Sequence, residues 1–207
     1  MHEQTISSDT SVLYLKQPMI YQCDNWLTND EINYILNINF EFVPGRVSSK
    51  VNDNVSVKVK PIRQCLVHRI EYGNNLYFDL LTQKMADFFN VKNIGCIEPL
   101  SIVKYNTGDY FNPHNDSWGY GGEARFATII VYLNDDFQGG CTYFPKFDIR
   151  VTPRRGSALI FHYDSIESLL HQSEPVISGT KYILTAFVRN EEFSQQDREL
   201  VKLMYKI

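Results

Sequence analysis

The sequence predicts a mainly β fold with supporting α-helices, built around a double-stranded β-helix (jelly-roll) core. Two observations indicate this fold class. Roughly eight short strand-like runs, each bounded by turn residues, follow one another between about residues 98 and 190. Two segments with helical spacing of their apolar residues come before them. A helical lead-in followed by short strands with regular turns is typical of a jelly-roll barrel that packs on helices.

Length and composition fit a single globular unit. The 207 residues are enough for one domain with a sizeable core. Hydrophobic residues make up 43% and aromatic residues 14%, which excludes a largely disordered chain. We expect one structural domain with three parts: helical and strand support in residues 1–97, the jelly-roll core in residues 98–190, and a C-terminal tail in residues 191–207.

Charge and hydropathy exclude several classes of partner. The net charge of −4 and the lack of a Lys/Arg run argue against a nucleic-acid partner. Residues 63–69 and the pair Arg154 and Arg155 are interpreted as solvated surface or turns. No apolar stretch approaches the roughly 20 residues of a membrane span. The first residues lack the basic start and apolar run of a signal peptide. We therefore expect no membrane partner and an intracellular, cytoplasmic location.

The four cysteines are interpreted as reduced thiols. Cys23, Cys65, Cys96 and Cys141 have no CxxC spacing, and Cys65 and Cys141 lie in apolar, strand-like surroundings. A zinc site made of all four cysteines is the alternative, although the paired spacing that such sites usually show is absent.

The first half of the chain, after a polar leader in residues 1–20, carries clear helix signals. Thr28 is a natural N-cap, and Glu31 lies three residues later, as in a capping box. Leu27 and Ile32 occupy the hydrophobic-staple positions on either side of the cap. Residues 74–90 predict a second helix, since their apolar residues recur every three or four positions. Both helices are interpreted as scaffold.

The remaining segments alternate between strands and turns. Residues 41–60 predict a mobile loop or a hairpin, and residues 63–70 a single strand. The predicted core strands are residues 100–105, 126–133, 141–144, 149–152, 157–161, 175–177 and 181–188. Residues 126–133 form a β-branched, apolar run of the kind that suits a buried strand.

Two distant segments contain a candidate metal site. His114 and Asp116 are separated by one residue, and His171 follows several strands later. Two histidines and a carboxylate can form the facial triad that holds iron(II) with open coordination positions. We expect His114 and Asp116 to end one strand, where residues i and i+2 point to the same side and Asn115 faces away. The barrel would bring His171 to the same mouth.

The other histidines receive no metal role. His162 and Asp164 have the same spacing as the first pair, but Asp164 lies only seven residues before His171. That separation is too short for the chain to travel around a barrel and return. His2 and His68 lack partners in the sequence and are interpreted as ordinary surface or hydrogen-bonded residues.

Lys181 is a candidate anion anchor. By strand alternation it shares one face with Ile183, Thr185 and Phe187. If that face is the barrel interior, the buried ammonium needs an anion, because an unpaired buried charge is very costly. A bound dicarboxylate would supply it, with hydroxyl contacts from Thr185 and Tyr105. The alternative is a Lys181 that pairs with a protein carboxylate at the surface.

Taken in order, these motifs resemble the prolyl 4-hydroxylase-like branch of the iron(II)/2-oxoglutarate dioxygenases. The resemblance extends over about residues 98–190 and is specific as a set. The matching residues are Tyr105, Gly108, His114-Asn115-Asp116, Arg125 with Thr128, Tyr132-Leu133-Asn134, Gly139-Gly140 with Thr142, Phe144 and Pro145, Pro153 with Gly156, His171, Pro175-Val176, Gly179 and Lys181.

The resemblance implies a cofactor set and an activity. His114, Asp116 and His171 would bind Fe(II), and Lys181 would hold the far carboxylate of 2-oxoglutarate with support from Tyr105 and Thr185. O₂ would react there, giving succinate, CO₂ and a substrate hydroxylated at an unactivated C–H bond. Ascorbate would keep the iron ferrous. The implied substrate is a prolyl or other residue of a peptide or protein.

Some features depart from the family or leave alternatives open. Collagen-type relatives carry Trp at the position of Phe187, and no secretory signal or peptide-binding domain is present, so procollagen is not the expected substrate. Residues 117–124 predict a mobile lip or a long hairpin turn, and with residues 41–60 they are expected to line the substrate groove. A catalytically silent 2-oxoglutarate sensor and a hydroxylase of a non-peptide small molecule are the alternatives. A zinc hydrolase would leave Lys181 unexplained and lacks the HExxH motif.

Overall fold

The computed structural model describes residues 11–16, 20–51, 54–58, 62–117, 125–163 and 169–192, together with residues 194, 195 and 199. The α-helices in this part of the chain are α1 (Asn29–Leu36) and α2 (Leu76–Phe89). The strands are β1 (Val12–Lys16), β2 (Ile20–Cys23), β3 (Val43–Pro44), β4 (Val47–Val51), β5 (Asn54–Lys58), β6 (Arg63–Gln64), β7 (Leu66–Ile70), β8 (Leu100–Tyr105), β9 (Tyr110–His114), β10 (Arg125–Tyr132), β11 (Gln138–Gly139), β12 (Thr142–Phe144), β13 (Ile149–Val151), β14 (Ala158–His162), β15 (His171–Ser173), β16 (Val176–Ser178) and β17 (Lys181–Arg189).

The strands form two main antiparallel sheets. The larger has eight strands in the order β1-β2-β14-β10-β17-β8-β7-β3, and the smaller has five in the order β13-β12-β15-β9-β6. The pairs β11–β16 and β4–β5 are separate two-stranded ribbons. Side chains of both main sheets meet in one buried cluster between them. The mainly β fold with a jelly-roll core is therefore confirmed.

Two hydrophobic cores lie on opposite faces of the eight-stranded sheet. In β17, Ile183 packs between the two sheets, while its neighbour Leu184 packs on the helix side. The same alternation holds in β8 and β10, because successive side chains of a strand point to opposite faces. The helix-side core includes buried residues of α2: Phe78, Leu81 and Met85. Helices on one face thus leave the other face free to form the interior cavity.

The helix predictions are confirmed to within two residues. In α1, the Thr28 hydroxyl accepts a hydrogen bond from the Glu31 amide at 3.2 Å, and the Glu31 carboxylate accepts one from the Thr28 amide at 2.7 Å. This is the predicted capping box. In α2, the Asn75 side chain caps the N-terminus through the Tyr77 amide at 2.9 Å, and the helix ends at Asn90 in the left-handed region.

The prediction of one strand over residues 63–70 is wrong. The chain forms β6 in the five-stranded sheet, passes through the buried Cys65, and enters β7 in the eight-stranded sheet. Gly45 lies against this crossing and donates its amide to the Cys65 carbonyl at 2.8 Å. A switch between sheets at one residue does not interrupt the apolar pattern, so the sequence does not reveal it.

The predicted groove segments are only partly described. Residues 41–60 contain the β4–β5 hairpin, one of the two predicted possibilities. The predicted lip at 117–124 lies outside the described residues beyond Ser117. Neither α1 nor α2 has the length and apolar composition needed to cross a bilayer.

Candidate metal and dicarboxylate site

The fold brings the two predicted histidine segments together. His114 ends β9, His171 begins β15, and the two residues are directly paired across these antiparallel strands. The Asp116 carboxylate lies 3.5 Å from His114 Nε2 through Oδ1 and 3.3 Å from His171 Nε2 through Oδ2. All three potential ligand atoms lie within 4.8 Å of one another. One divalent ion can contact all three side chains in this arrangement.

The predicted reason for the position of Asp116 is wrong. Strand β9 ends at His114, so Asp116 follows the strand, and Asn115 lines the same cavity instead of facing away. Asp116 is positioned by β10: Arg125 Nη1 donates to the Asp116 carbonyl at 3.1 Å, and the Thr128 hydroxyl donates to Asp116 Oδ2 at 3.3 Å. Contacts from another strand, and not strand alternation, orient this carboxylate.

Both histidines present the ring nitrogen that a metal requires. His114 Nδ1 lies 2.8 Å from the Asn112 carbonyl and His171 Nδ1 lies 3.0 Å from the Leu169 carbonyl. A carbonyl oxygen can only accept, so each Nδ1 carries the hydrogen and each Nε2 keeps its lone pair. Burial, followed by the charge of His171, lowers the pKa of His114 to about 3. A neutral imidazole oriented by a backbone carbonyl is the usual state of a histidine ligand.

A buried charge network supports the carboxylate side of the site. Glu98 is fully buried and accepts hydrogen bonds from Arg125 at 2.7 Å through each of its two oxygens and from Arg189 at 2.8 Å. Burial alone would raise the pKa of Glu98, but the two guanidinium groups lower it below its usual range. The Arg125 guanidinium also stacks 3.5 Å above the Phe187 ring. Arg125 therefore connects this network to Asp116.

Thr128 provides a second contact to Asp116. Its hydroxyl lies between Asp116 Oδ2 and the Tyr163 hydroxyl, and it hydrogen-bonds to both. Thr128 is fully buried. A ligand carboxylate is usually held by such outer contacts, which fix its orientation toward the ion.

Replacing Thr128 by Val should weaken metal binding without removing a ligand. We expect the affinity for Fe(II) or Mn(II) to fall about tenfold, because Asp116 loses one orienting hydrogen bond. An anaerobic titration with the metal, monitored by calorimetry, measures this change in affinity. Thr142→Val is the matched control, since the Thr142 hydroxyl bonds Tyr132 at 2.9 Å and does not contact Asp116. Equal metal affinity in the two variants would contradict the role given to Thr128.

Lys181 is a buried residue of β17 whose hydrogen-bond partners are uncharged. It is 1% exposed, and its ammonium donates to the Gly140 carbonyl at 2.6 Å and to the Ser173 hydroxyl at 3.1 Å. The Tyr105 and Tyr132 rings lie 5.2 and 5.8 Å from Nζ, within cation–π range. Among the described residues, no carboxylate lies within ion-pair distance of Lys181. The alternative of a surface ion pair is therefore wrong.

The lowered pKa of Lys181 predicts that binding of a dicarboxylate to this residue depends on pH. Burial lowers this pKa to about 7. A bound carboxylate favours the ammonium, so binding should take up a proton above about pH 7. We expect 2-oxoglutarate affinity to be nearly constant below that pH and to fall by up to about tenfold per pH unit above it. Titration calorimetry in two buffers of different ionisation enthalpy measures the proton uptake.

Lys181→Arg is the control for this pH dependence. A guanidinium stays protonated across the range, so the affinity of this variant should vary little with pH. A wild-type affinity that is independent of pH, with no proton uptake, would contradict the assignment of Lys181 as the anchor.

The triad and Lys181 line one cavity of about 170 Å³ between the two sheets. Tyr105 and Thr185, the predicted supporting residues, also line it, as do Ile183 and Phe187 on the same face of β17. Tyr105 is paired directly with Lys181 across β8 and β17, and burial raises the pKa of its phenol above its usual range. The predicted alternation of β17 thus places Lys181, Ile183, Thr185 and Phe187 together on the face that lines the cavity.

Three arginines of the cavity were not predicted. Arg46, Arg63 and Arg69 line it and are only partly exposed, so the interpretation of residues 63–69 as solvated surface is wrong. Arg63 lies on the five-stranded sheet and Arg69 on the eight-stranded sheet. The sequence around an isolated arginine in a strand does not indicate whether its side chain faces the cavity or the solvent.

His162 and His68, which received no metal role, are absent from the described lining of the cavity. His162 Nε2 is 3.0 Å from the Tyr21 hydroxyl, and the ring stacks near Tyr21 and Phe126 on the helix side. Asp164 and His2 lie outside the described residues, and His68 bonds the Glu41 carbonyl. All four cysteines are free thiols. Within the described part of the chain, His114, Asp116 and His171 are the group that could hold a metal ion.

Comparison with protein families agrees with this geometry. Residues 100–189 match the family described as the 2OG-Fe(II) oxygenase superfamily. A relative from Acanthamoeba polyphaga mimivirus, named "Putative prolyl 4-hydroxylase", is 34% identical over 113 residues. That alignment covers 47% of this chain and 47% of the relative, so the chain spans about half the length of this relative.

Two solved structures share the fold. The viral collagen prolyl hydroxylase of Paramecium Bursaria Chlorella virus-1, in its 2OG complex, has a TM-score of 0.63 at 21% identity and covers 85% of this chain and 98% of its own. A Trichoplax adhaerens prolyl hydroxylase was solved with a peptide fragment of the hypoxia inducible factor oxygen degradation domain. It has a TM-score of 0.63 at 17% identity, and the match covers 89% of this chain and 87% of that protein's chain. Residues 100–189 therefore match the 2OG-Fe(II) oxygenase superfamily, and the family match and the mimivirus relative support a prolyl 4-hydroxylase-like 2-oxoglutarate-dependent dioxygenase, whose fold the two structures share.

Proposed function

We propose that this chain hydroxylates an unactivated C–H bond of a prolyl residue, or of another residue, in a peptide or protein. The observation that carries the proposal is a single cavity lined by a His-Asp-His cluster and a buried lysine. Bound Fe(II), 2-oxoglutarate and O₂ supply the oxidative chemistry, in which 2-oxoglutarate is decarboxylated to succinate and CO₂ as the substrate is hydroxylated.

In this proposal His114, Asp116 and His171 are the iron ligands and the catalytic centre. The donor set fits Fe(II), because two neutral imidazoles and one carboxylate on one side leave positions open for small ligands. Burial would raise the pKa of Asp116, but positive charge on His171, and then on His114 and Arg125, lowers it below its usual range. A bound cation would supply the positive charge when the two histidines are neutral ligands. The carboxylate is therefore ionised and ready to bind a cation at neutral pH.

Lys181 is proposed to bind the far carboxylate of 2-oxoglutarate. Its ammonium is oriented by the Gly140 carbonyl and Ser173 hydroxyl, so a carboxylate in the cavity can add a charge-assisted hydrogen bond. Tyr105 and Thr185 line the same cavity and can donate hydroxyl hydrogen bonds to this ligand. The chain thus provides a cation at one end of the cavity and metal ligands at the other.

A peptide substrate is supported by two similarities. One neighbour is a viral collagen prolyl hydroxylase, and another is a prolyl hydroxylase solved with a peptide fragment. We propose that ascorbate, as a reductant, keeps the iron ferrous between turnovers, as the family resemblance implies.

Anaerobic loading followed by admission of O₂ tests the function. The protein is loaded with Fe(II) and 2-oxoglutarate, and O₂ is then added with a library of proline-containing peptides. We expect succinate release that depends on the peptide, together with a peptide mass gain of one oxygen atom. Omitting ascorbate should shorten the period of turnover. Tight 2-oxoglutarate binding without substrate-dependent succinate would favour a silent sensor, and oxygen transfer only to small molecules would favour the non-peptide alternative.

A further inference from the structure

We propose that the metal end of the cavity recognises a carboxylate side chain of the peptide substrate, close to the residue that is hydroxylated. This inference rests on the proposed function and specifies its substrate class as acidic peptides. The recognising residues are Arg46 and Arg69, which line the cavity from two different segments. The net charge of the chain is −4, so positive residues at this position are not a consequence of overall composition.

The strand register places Arg69 far from Lys181. Arg69 pairs with Ser101 across β7 and β8, and Ser101 pairs with Thr185 across β8 and β17. Thr185 lies four positions beyond Lys181, which corresponds to about 13 Å along a strand. Arg69 therefore stands well away from the ammonium that holds 2-oxoglutarate in the proposed function.

The same register places Arg69 toward the metal end. Thr128, whose hydroxyl contacts the Asp116 carboxylate, pairs with Phe187 on β10 and β17, two positions beyond Thr185. Along the sheet, Arg69 is therefore two residues from the level of Thr128 and four residues from the level of Lys181. It lies nearer to the metal end of the cavity than to Lys181 in this direction.

Arg46 reaches the cavity from a segment that is packed tightly in place. Its neighbour Gly45 lies so close to the sheet crossing that an added Cβ would be 2.6 Å from Cys65 Sγ and 3.0 Å from Arg63 Nε. Arg46 directly precedes the β4–β5 hairpin. Gly45 thus packs closely on the crossing, and the next residue, Arg46, lines the cavity.

Among the described residues, the charged side chains that line the cavity are mostly positive: Arg46, Arg63, Arg69, Arg125 and Lys181, against Asp116. Asp116 is the carboxylate among the described lining residues, and Arg125 is already paired with Glu98. A ferrous ion and the Lys181 ammonium together balance Asp116 and the two carboxylates of 2-oxoglutarate. A guanidinium has five N–H donors, so an arginine that makes protein contacts can still bind a substrate carboxylate. Arginine also matches a carboxylate with two parallel hydrogen bonds.

Matched peptides test this inference without relying on turnover. The protein is loaded with redox-inert Mn(II) and 2-oxoglutarate, and binding of fluorescent proline peptides that differ only by Glu or Gln beside the proline is measured. We expect the best Glu peptide to bind about tenfold more tightly than its Gln partner, and the difference to shrink at high salt. Arg69→Gln and Arg46→Gln should each reduce the difference in affinity between the Glu and Gln peptides. Arg69→Glu should favour a peptide that carries Lys in place of that Glu.

Two controls separate this inference from the proposed function. Affinity for 2-oxoglutarate should stay within about twofold of wild type in Arg69→Gln, because Lys181 is unchanged. Wild-type protein that binds and hydroxylates Glu and Gln peptides equally would overturn the acidic preference and leave the peptide hydroxylase intact. Binding of no peptide, with normal metal and 2-oxoglutarate binding, would overturn both. Hydroxylation of small carboxylic acids alone would overturn the peptide substrate.

Discussion

Replacing Lys181 by Ala should remove most of the affinity for 2-oxoglutarate while leaving metal binding intact. Lys181 is the buried cation of the cavity that is not paired with a protein carboxylate among the described residues, so the variant would leave the far carboxylate of 2-oxoglutarate without its cationic partner. Loss of one partner of a buried charge pair costs about 3 kcal/mol, or more than a hundredfold in Kd. Calorimetry of Mn(II)-loaded protein measures both affinities.

Lys104 on the neighbouring strand β8 offers the matched control. Its ammonium lies over the Phe42 and Tyr182 rings on the other face of the sheet. Lys104→Ala should therefore bind 2-oxoglutarate as wild type does. Lys181→Met retains most of the buried volume and should lose affinity as Lys181→Ala does, which separates charge from packing. Unchanged 2-oxoglutarate affinity in either Lys181 variant would contradict the proposal that Lys181 binds the far carboxylate.

Replacing Glu98 by Ala should produce the largest loss of stability. The change leaves the buried guanidinium groups of Arg125 and Arg189 without their shared carboxylate. Breaking a buried ion network by removing one partner costs about 3–5 kcal/mol. Equilibrium unfolding in urea measures the free energy of unfolding. Because Arg125 also bonds the Asp116 carbonyl, we expect the folded fraction to bind metal more weakly as well.

The exposed pair between Arg150 and Glu174 serves as the control for Glu98. Its two side chains are 51% and 26% exposed, and surface pairs contribute little to stability. Glu174→Ala should thus unfold at nearly the wild-type urea concentration. If Glu98→Ala also unfolded at nearly the wild-type urea concentration, the buried network would not have the structural role assigned to it.

Local signals in the sequence predicted much of the fold. The capping box of Thr28 and Glu31 acts within a few residues, so α1 could be located before any tertiary structure was known. The alternation in β17 likewise predicted which residues would accompany Lys181 on one face. These features depend on backbone periodicity and on contacts close in sequence.

Features that depend on distant contacts were missed. The switch between sheets at Cys65 depends on packing against Gly45, about 20 residues away in sequence, and nothing at the position itself indicates it. Glu98 has its partners on two other strands, so no local pattern marks it as buried. Asp116 was expected to share a face with His114 by alternation, whereas Arg125 and Thr128 of β10 position it.

The most direct test of the account is to locate the metal. Crystals of the protein grown anaerobically with Mn(II) and 2-oxoglutarate give an anomalous difference map at the manganese edge. We predict one strong peak in contact with His114 Nε2, His171 Nε2 and the Asp116 carboxylate, and 2-oxoglutarate density that extends from that peak to Lys181 Nζ. A peak held by other residues, or ligand density that ends away from Lys181, would contradict this prediction.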